Sequence, residues 1–365
     1  MRKFFIFFIF IIYLNSCGGA SVEELGIFGE SRKGNILGQD GVTPIPFTDS
    51  ITIWTFGDTI LGSWKGNVST NATFGESTNI KSMISNSLAF SNNLTLKNIK
   101  NLKFVFLKKD GKVCQFLKMH ENENPTIDRL WAVDGIRIDN KVYVYYFIIQ
   151  IEKLKHSSFK KKGVGIAVWD IPEGWEIGDP VSFKRLPDLF PGNWPAFGVS
   201  ILKKDGYIYT AGQYITEGNT SPIKIARAKI SGIKCGRAYE FLGDQGRWVR
   251  DINKAKAFLG DVMGECSLSY NEYLKKYVII YCQLWTGRII MVTFKNFCEL
   301  NNRLKEVIYI PQLLVQEKNK KPLWYYSGKE IFSTGDLIFI IYINPEDYQP
   351  YLLKINLQFN ILNWL

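Results

Sequence analysis

Short runs of alternating apolar and polar residues fill this chain, and a compound pattern built from two such runs returns, imperfectly, five times. A polar or acidic residue and a small residue open an apolar run, a turn follows, and a second run rich in Tyr, Ile and Val comes next. The copies read QDGVTPIPFTDSITIWTFGDTILG from Gln39, WAVDGIRIDNKVYVYYFII from Trp131, WPAFGVSILKKDGYIYTAGQYI from Trp194, GECSLSYNEYLKKYVIIYCQ from Gly264 and WYYSGKEIFSTGDLIFIIYI from Trp324. Period-two runs of this length are half-buried strands, and DN at Asp139, KDG at Lys204 and TGD at Thr334 supply hairpin turns between them. A further apolar strand follows each pair, at Ser85, Gly163, Pro222, Gly287 and Tyr351.

Asp134, Phe197, Glu265 and Ser327 hold equivalent places in four copies and lie roughly 60 to 70 residues apart, the scale of a four-stranded antiparallel blade with generous loops. The pattern therefore predicts an all-β chain folded as a five-bladed β-propeller, one domain over residues 36–365. A large β-sandwich shows the same alternation, but the regular period favours blades around a channel.

The first residues, MRKFFIFFIFIIYLNSC, carry a basic pair and an apolar run from Phe4 to Leu14 that is short for a bilayer span and reads as a secretion signal over 1–17. Its ending, Leu14-Asn15-Ser16-Cys17, resembles the lipobox of bacterial lipoproteins, which implies cleavage before Cys17 and lipidation of that cysteine. Asn15 departs from the small or aliphatic residue common there, and an uncleaved signal anchor is the alternative. Either way the folded part is expected outside the cytoplasm, in the cell envelope, with residues 18–35 as a Gly-, Ser- and charge-rich tether.

Composition narrows the chemistry. Apart from Cys17, five cysteines remain without CxxC spacing, and buried free thiols are the expected state, with Cys266 and Cys282 the one plausible facing pair. Two histidines, His120 and His156, lack any partner at metal-ligand spacing and leave no base for a Ser-His-Asp or Cys-His mechanism. No metal and no cofactor is expected. The net charge of +11 reflects lysine-rich loops, which protect strand edges and keep the chain soluble, although a basic surface also attracts acidic glycans and lipids. No nucleic-acid motif accompanies it.

In a propeller the innermost strands line the channel, so residues opening those strands converge on one funnel. Asp40, Asp134 and Glu265 fall at that place in copies one, two and four, and Asp58, in FGDT, adds a second acid to the first. A carboxylate where an apolar strand begins is costly to bury alone, and each of these acids is also a candidate turn cap. Paired carboxylates with no useful histidine point to glycoside hydrolysis, in which one acid donates a proton to the leaving oxygen and the other activates water or attacks the anomeric carbon. Trp131, Trp194 and Trp324 precede inner strands, where they either stack on sugar or wedge between blades. Asn86 and Ser87 are further candidates to hydrogen bond a sugar or Asp58.

The runs TIWTFGDTILG at 52–62, NSLAF at 86–90 and WAVDGIRIDNKVYVYY at 131–146 resemble the domain-of-unknown-function 4185 group of secreted five-bladed propellers. Some members are endo-acting enzymes that cut D-arabinan, and the group is similar to arabinanase and xylosidase propellers. The resemblance implies Asp40 and Asp58 as the catalytic pair. Arabinanase-type propellers add an aspartate opening blade two, which Asp134 fits, and a glutamate in blade three, which WPAFGVSIL lacks; Glu265 comes one blade later. The expectation is a lipid-anchored glycoside hydrolase acting on a furanose-containing polysaccharide, with glycan and membrane as partners and a monomeric state. A catalytically silent glycan-binding or adhesion propeller is the alternative.

Overall fold

The computed structural model describes residues 21–29, 35–65, 74–152, 159–213, 221–298, 303–311 and 324–357. Cys17 and the rest of 1–17 lie outside the described residues.

Five antiparallel sheets stand around a central axis. Their innermost strands are Thr43–Pro46, Asp128–Ile138, Ala196–Lys204, Val262–Asn271 and Tyr326–Thr334. Each packs beside the next, and the fifth returns to the first, which closes the ring. Every inner strand pairs with the Tyr-, Ile- and Val-rich strand that follows it in sequence, and the third strands, such as Phe159–Asp170, Ile223–Lys229 and Ile289–Phe294, lie where the alternation predicts. The turn signals are also in place: Asp139, Asp205 and Gly335 take left-handed backbone angles at the hairpin tips.

Burial explains the pattern. Strands in the middle of a blade are covered on both faces by neighbouring blades, so Lys141–Ile151, Lys276–Gln283 and Leu337–Asn344 read as nearly continuous apolar runs. Aromatic side chains fill the wedges between blades. Tyr145 of blade two, for example, meets Tyr239 of blade three through their hydroxyls at 2.7 Å, both phenols buried.

Two departures from the sequence reading matter for the site. Residues 18–35 are not a tether throughout: Ser21–Ile27 is the outermost strand of blade five, pairing antiparallel with Gln349–Asn356. The first and last described strands thus meet in one sheet, and the domain starts well before residue 36. Blade one also carries an extra three-stranded sheet, Ile36–Gln39, Thr59–Trp64 and Thr78–Ile84, continuous in chain with the blade's own strands. The switch from blade to extra sheet falls at Gly57 and Asp58.

Candidate active site

Four inner strands break register near their start, between Ala132 and Gly135, Phe197 and Ser200, Met263 and Cys266, and Tyr326 and Lys329. A bulge re-aims the side chains beside it. Residues before the bulges line one cavity, of about 430 Å³, and residues after them line a second, of about 520 Å³, so the two open at opposite ends of the channel.

Asp40 and Glu265 open onto the first cavity with Trp131, Phe147, Phe159, Met263 and Tyr326. Asp40 follows the strand Ile36–Gln39 and is clipped to the switch segment by its backbone: its amide donates to the Asp58 carbonyl at 3.1 Å and accepts, through its own carbonyl, from the Gly57 amide at 2.9 Å. These bonds hold both first-blade acids at one level. Gly57 is required there, because a β-carbon would lie 2.5 Å from Asp40 Oδ1. Tyr348 and Tyr326 donate to Asp40 Oδ2 at 2.7 and 3.1 Å. Trp131 Nε1 donates to Asp58 Oδ1 at 3.0 Å, so this tryptophan serves the acid as well as the cavity wall.

Burial pushes the Asp40 carboxyl up to about 7, with the charge of Asp58 adding to the rise and the Tyr348 hydrogen bond opposing it. Burial likewise lifts Asp58 to about 6, against the Trp131 hydrogen bond and the nearby Arg129. Two adjacent acids raised in this way share a proton near neutrality and titrate as a unit.

Glu265 joins this cluster from blade four. Its carboxylate is paired with Lys329 Nζ, which is 3% exposed and also donates to Thr43 Oγ1 at 2.6 Å. Glu265 lines the first cavity, here called the upper, and Lys329 the second, the lower, so the pair forms a floor between them.

The other candidates are placed differently. Asp134 lines the lower cavity, not the one holding Asp40 and Glu265. Its Oδ1 accepts from the Gly135 amide and its Oδ2 from the Ile201 amide, both at 2.6 Å, which ties blade two to blade three; burial lifts this acid to about 7. Asn86 and Ser87 are both buried, with their polar atoms bonded to protein groups other than Asp58. Asn86 is buried, with Nδ2 donating to the Leu130 carbonyl and Gln115 Oε1 and Oδ1 accepting from the amides of Phe116 and Leu117. Ser87 shares a buried polar knot with Thr59 at 2.8 Å and Gln39 at 3.2 Å. Trp194 is a wedge: its ring lies 5.5 Å from Phe241 and 6.0 Å from Phe190, away from the cavity. In blade three the bulge is made by Gly198, at φ +108° and packed against Tyr145, and Val199, which stands where Asp134 and Glu265 stand in their blades, so no acid is present there. Cys266 and Cys282 are buried free thiols, as expected.

Tyr326, Tyr348 and Lys329 were not among the residues singled out by the sequence. An isolated lysine inside the apolar strand around SGKEIF was the available signal, because a buried ammonium needs an acid.

A crystallised Bacteroides ovatus protein described as a proposed hydrolase superposes with a TM-score of 0.67 over 96% of this chain and 94% of its own, at 16% identity. A family 117 glycoside hydrolase from the marine bacterium Zobellia galactanivorans superposes with a TM-score of 0.51 over 93% of this chain and 91% of its own, at 11% identity. At these identities the likeness is one of fold, and the fold is that of glycoside hydrolase-like propellers. No curated protein matches the sequence. Residues 31–319 match the sequence model of the domain of unknown function DUF4185, and the chain belongs to that family.

Proposed function

We propose that this protein is a glycoside hydrolase that cuts a furanose-containing, arabinan-like polysaccharide outside the cytoplasm, held to the cell envelope by lipid on Cys17. The observation that carries the hydrolase reading is the Asp40–Asp58 pair, with Asp40 on the cavity wall, Asp58 joined to it through the backbone and hydrogen-bonded to the wall residue Trp131, and both carboxyls raised by burial. At a pH where the pair holds one proton, one carboxyl gives that proton to the leaving glycosidic oxygen. The other, ionised, activates water or attacks the anomeric carbon. The names of the structural neighbours, a proposed hydrolase and a family 117 glycoside hydrolase, support the reaction class. The arabinan-like class follows the family resemblance carried by TIWTFGDTILG and WAVDGIRIDNKVYVYY.

The test is release of reducing ends from a panel of polysaccharides, arabinans included, by the chain without residues 1–17. Cleavage of none of them, with retention of one, would move the protein to the glycan-binding alternative.

The titration predicts the pH dependence. kcat/KM should be bell-shaped and highest between about 6 and 7, because the pair is doubly protonated below that window and doubly ionised above it. Tyr348→Phe removes a hydrogen bond that favours ionised Asp40, so Asp40 should rise further and the alkaline limb should move to higher pH. A pH–rate profile of the variant with an unmoved alkaline limb would detach that limb from Asp40.

A further inference from the structure

Trp285 is 50% exposed and sits at φ +62°, a left-handed backbone conformation that is unfavourable for a bulky side chain. It occupies the turn between Lys276–Gln283 and Ile289–Phe294 in blade four, where glycine or asparagine would close the turn without strain. The turn is held in place from several sides. The Gln283 carbonyl accepts from the amides of Thr286 and Gly287 at 3.3 and 2.9 Å, and Thr286 Oγ1 donates to Gln283 Oε1 at 3.0 Å. Asp261 accepts from Gln283 Nε2 at 2.8 Å, Tyr281 OH at 2.9 Å and Lys305 Nζ at 2.7 Å, while its carbonyl accepts from the Leu284 amide at 2.7 Å. Strain that the surroundings fix so thoroughly is characteristic of positions used by function.

Trp285 lines the same cavity as Asp40 and Glu265, with Leu284 beside it in the chain and Trp131 and Phe159 contributed by blade two. We propose that Trp285 is a stacking platform for the apolar C–H face of an uncharged sugar ring of the substrate, an inference that rests on the glycan reading above. A flat aromatic surface binds such a face with little loss of side-chain freedom. Among the described residues lining the cavity, the charged side chains are the carboxylates Asp40 and Glu265, with no lysine or arginine; Lys329 neutralises Glu265 from the floor, and the charge of Asp40 is left to disfavour an acidic sugar.

Trp285→Gly removes the platform and the strain together, and Trp285→Phe keeps a ring. For Trp285→Gly, the melting temperature should equal or exceed that of the parent, while KM for arabinan rises about tenfold, with a smaller fall in kcat; retention in arabinan affinity gels should drop in parallel. Trp285→Phe should recover most of the affinity, and polygalacturonate should be retained by none of the three proteins. A Trp285→Gly protein that binds and cleaves arabinan as the parent does overturns the platform alone. Loss of retention by Trp285→Gly beside a parent that binds without cleaving supports the platform and removes the hydrolase reading. A parent that neither binds nor cleaves any neutral polysaccharide overturns both.

Discussion

Asp40→Asn and Asp58→Asn should each lower kcat by about 10²–10⁴-fold on whichever polysaccharide the parent cleaves, the range for losing a positioned acid or base. Asparagine keeps the size and an acceptor oxygen, so Tyr326 and Tyr348 can still donate at position 40, and Trp131 at position 58. The fold should survive, and stability should change in a definite direction. Both acids have folded pKa values raised above the ordinary 3.8, to about 7 and about 6. The folded protein therefore holds their protons more tightly than the unfolded chain does. Stability from this source is complete below the unfolded value and is lost as pH rises through the folded one. Replacing either acid by asparagine removes that loss, so thermal melts at pH 8 should show the inactive variants at least as stable as the parent, with the gain shrinking toward pH 4. Inactivation accompanied by a lower melting temperature at pH 8 would mean that the acids serve the fold rather than the reaction.

The same residues show which parts of the molecule were legible in advance. The five inner strands and their partners could be read because each blade buries its second strand on both faces, which forces an apolar run at a regular interval. Asp40 and Asp58 stood out because they flank the apolar strands of the first copy and because the family resemblance pairs them, and the structure joins them through the Asp40 amide and the Asp58 carbonyl. The closing strand Ser21–Ile27 could not: SVEELGI is acidic and only partly buried, and its pairing with Gln349–Asn356 spans nearly the whole chain. Asn86 was a candidate because it stands in the family-like word NSLAF, whereas its carbonyl oxygen is taken by amides of a loop 30 residues on. Trp285 gave no signal as a residue type, since LWTG reads only as a turn. Its importance lies in a backbone angle and a cavity wall, which are properties of the assembled blades.

Lys329 carries the second large effect. Lys329→Met leaves the Glu265 carboxylate and the Thr43 hydroxyl without the ammonium that joins them at the floor of the cavity, and should destabilise the fold by about 3 kcal/mol, the lower end for breaking a buried pair because Glu265 still faces a cavity that water can enter. The penalty should grow with pH. Lys329 lowers the pKa of Asp134, already raised by burial to about 7, so losing the lysine raises that value further and extends the range over which ionising Asp134 costs stability. Adding Glu265→Gln should restore part of the loss, because the partner left behind is then uncharged. Urea unfolding of the parent, both single variants and the double variant at pH 5 and pH 8 measures this directly, with an expected coupling of about 1–3 kcal/mol between positions 265 and 329. Strict additivity at both pH values would show that the pair does not hold the floor, and Glu265 would then need another source of its position beside Asp40.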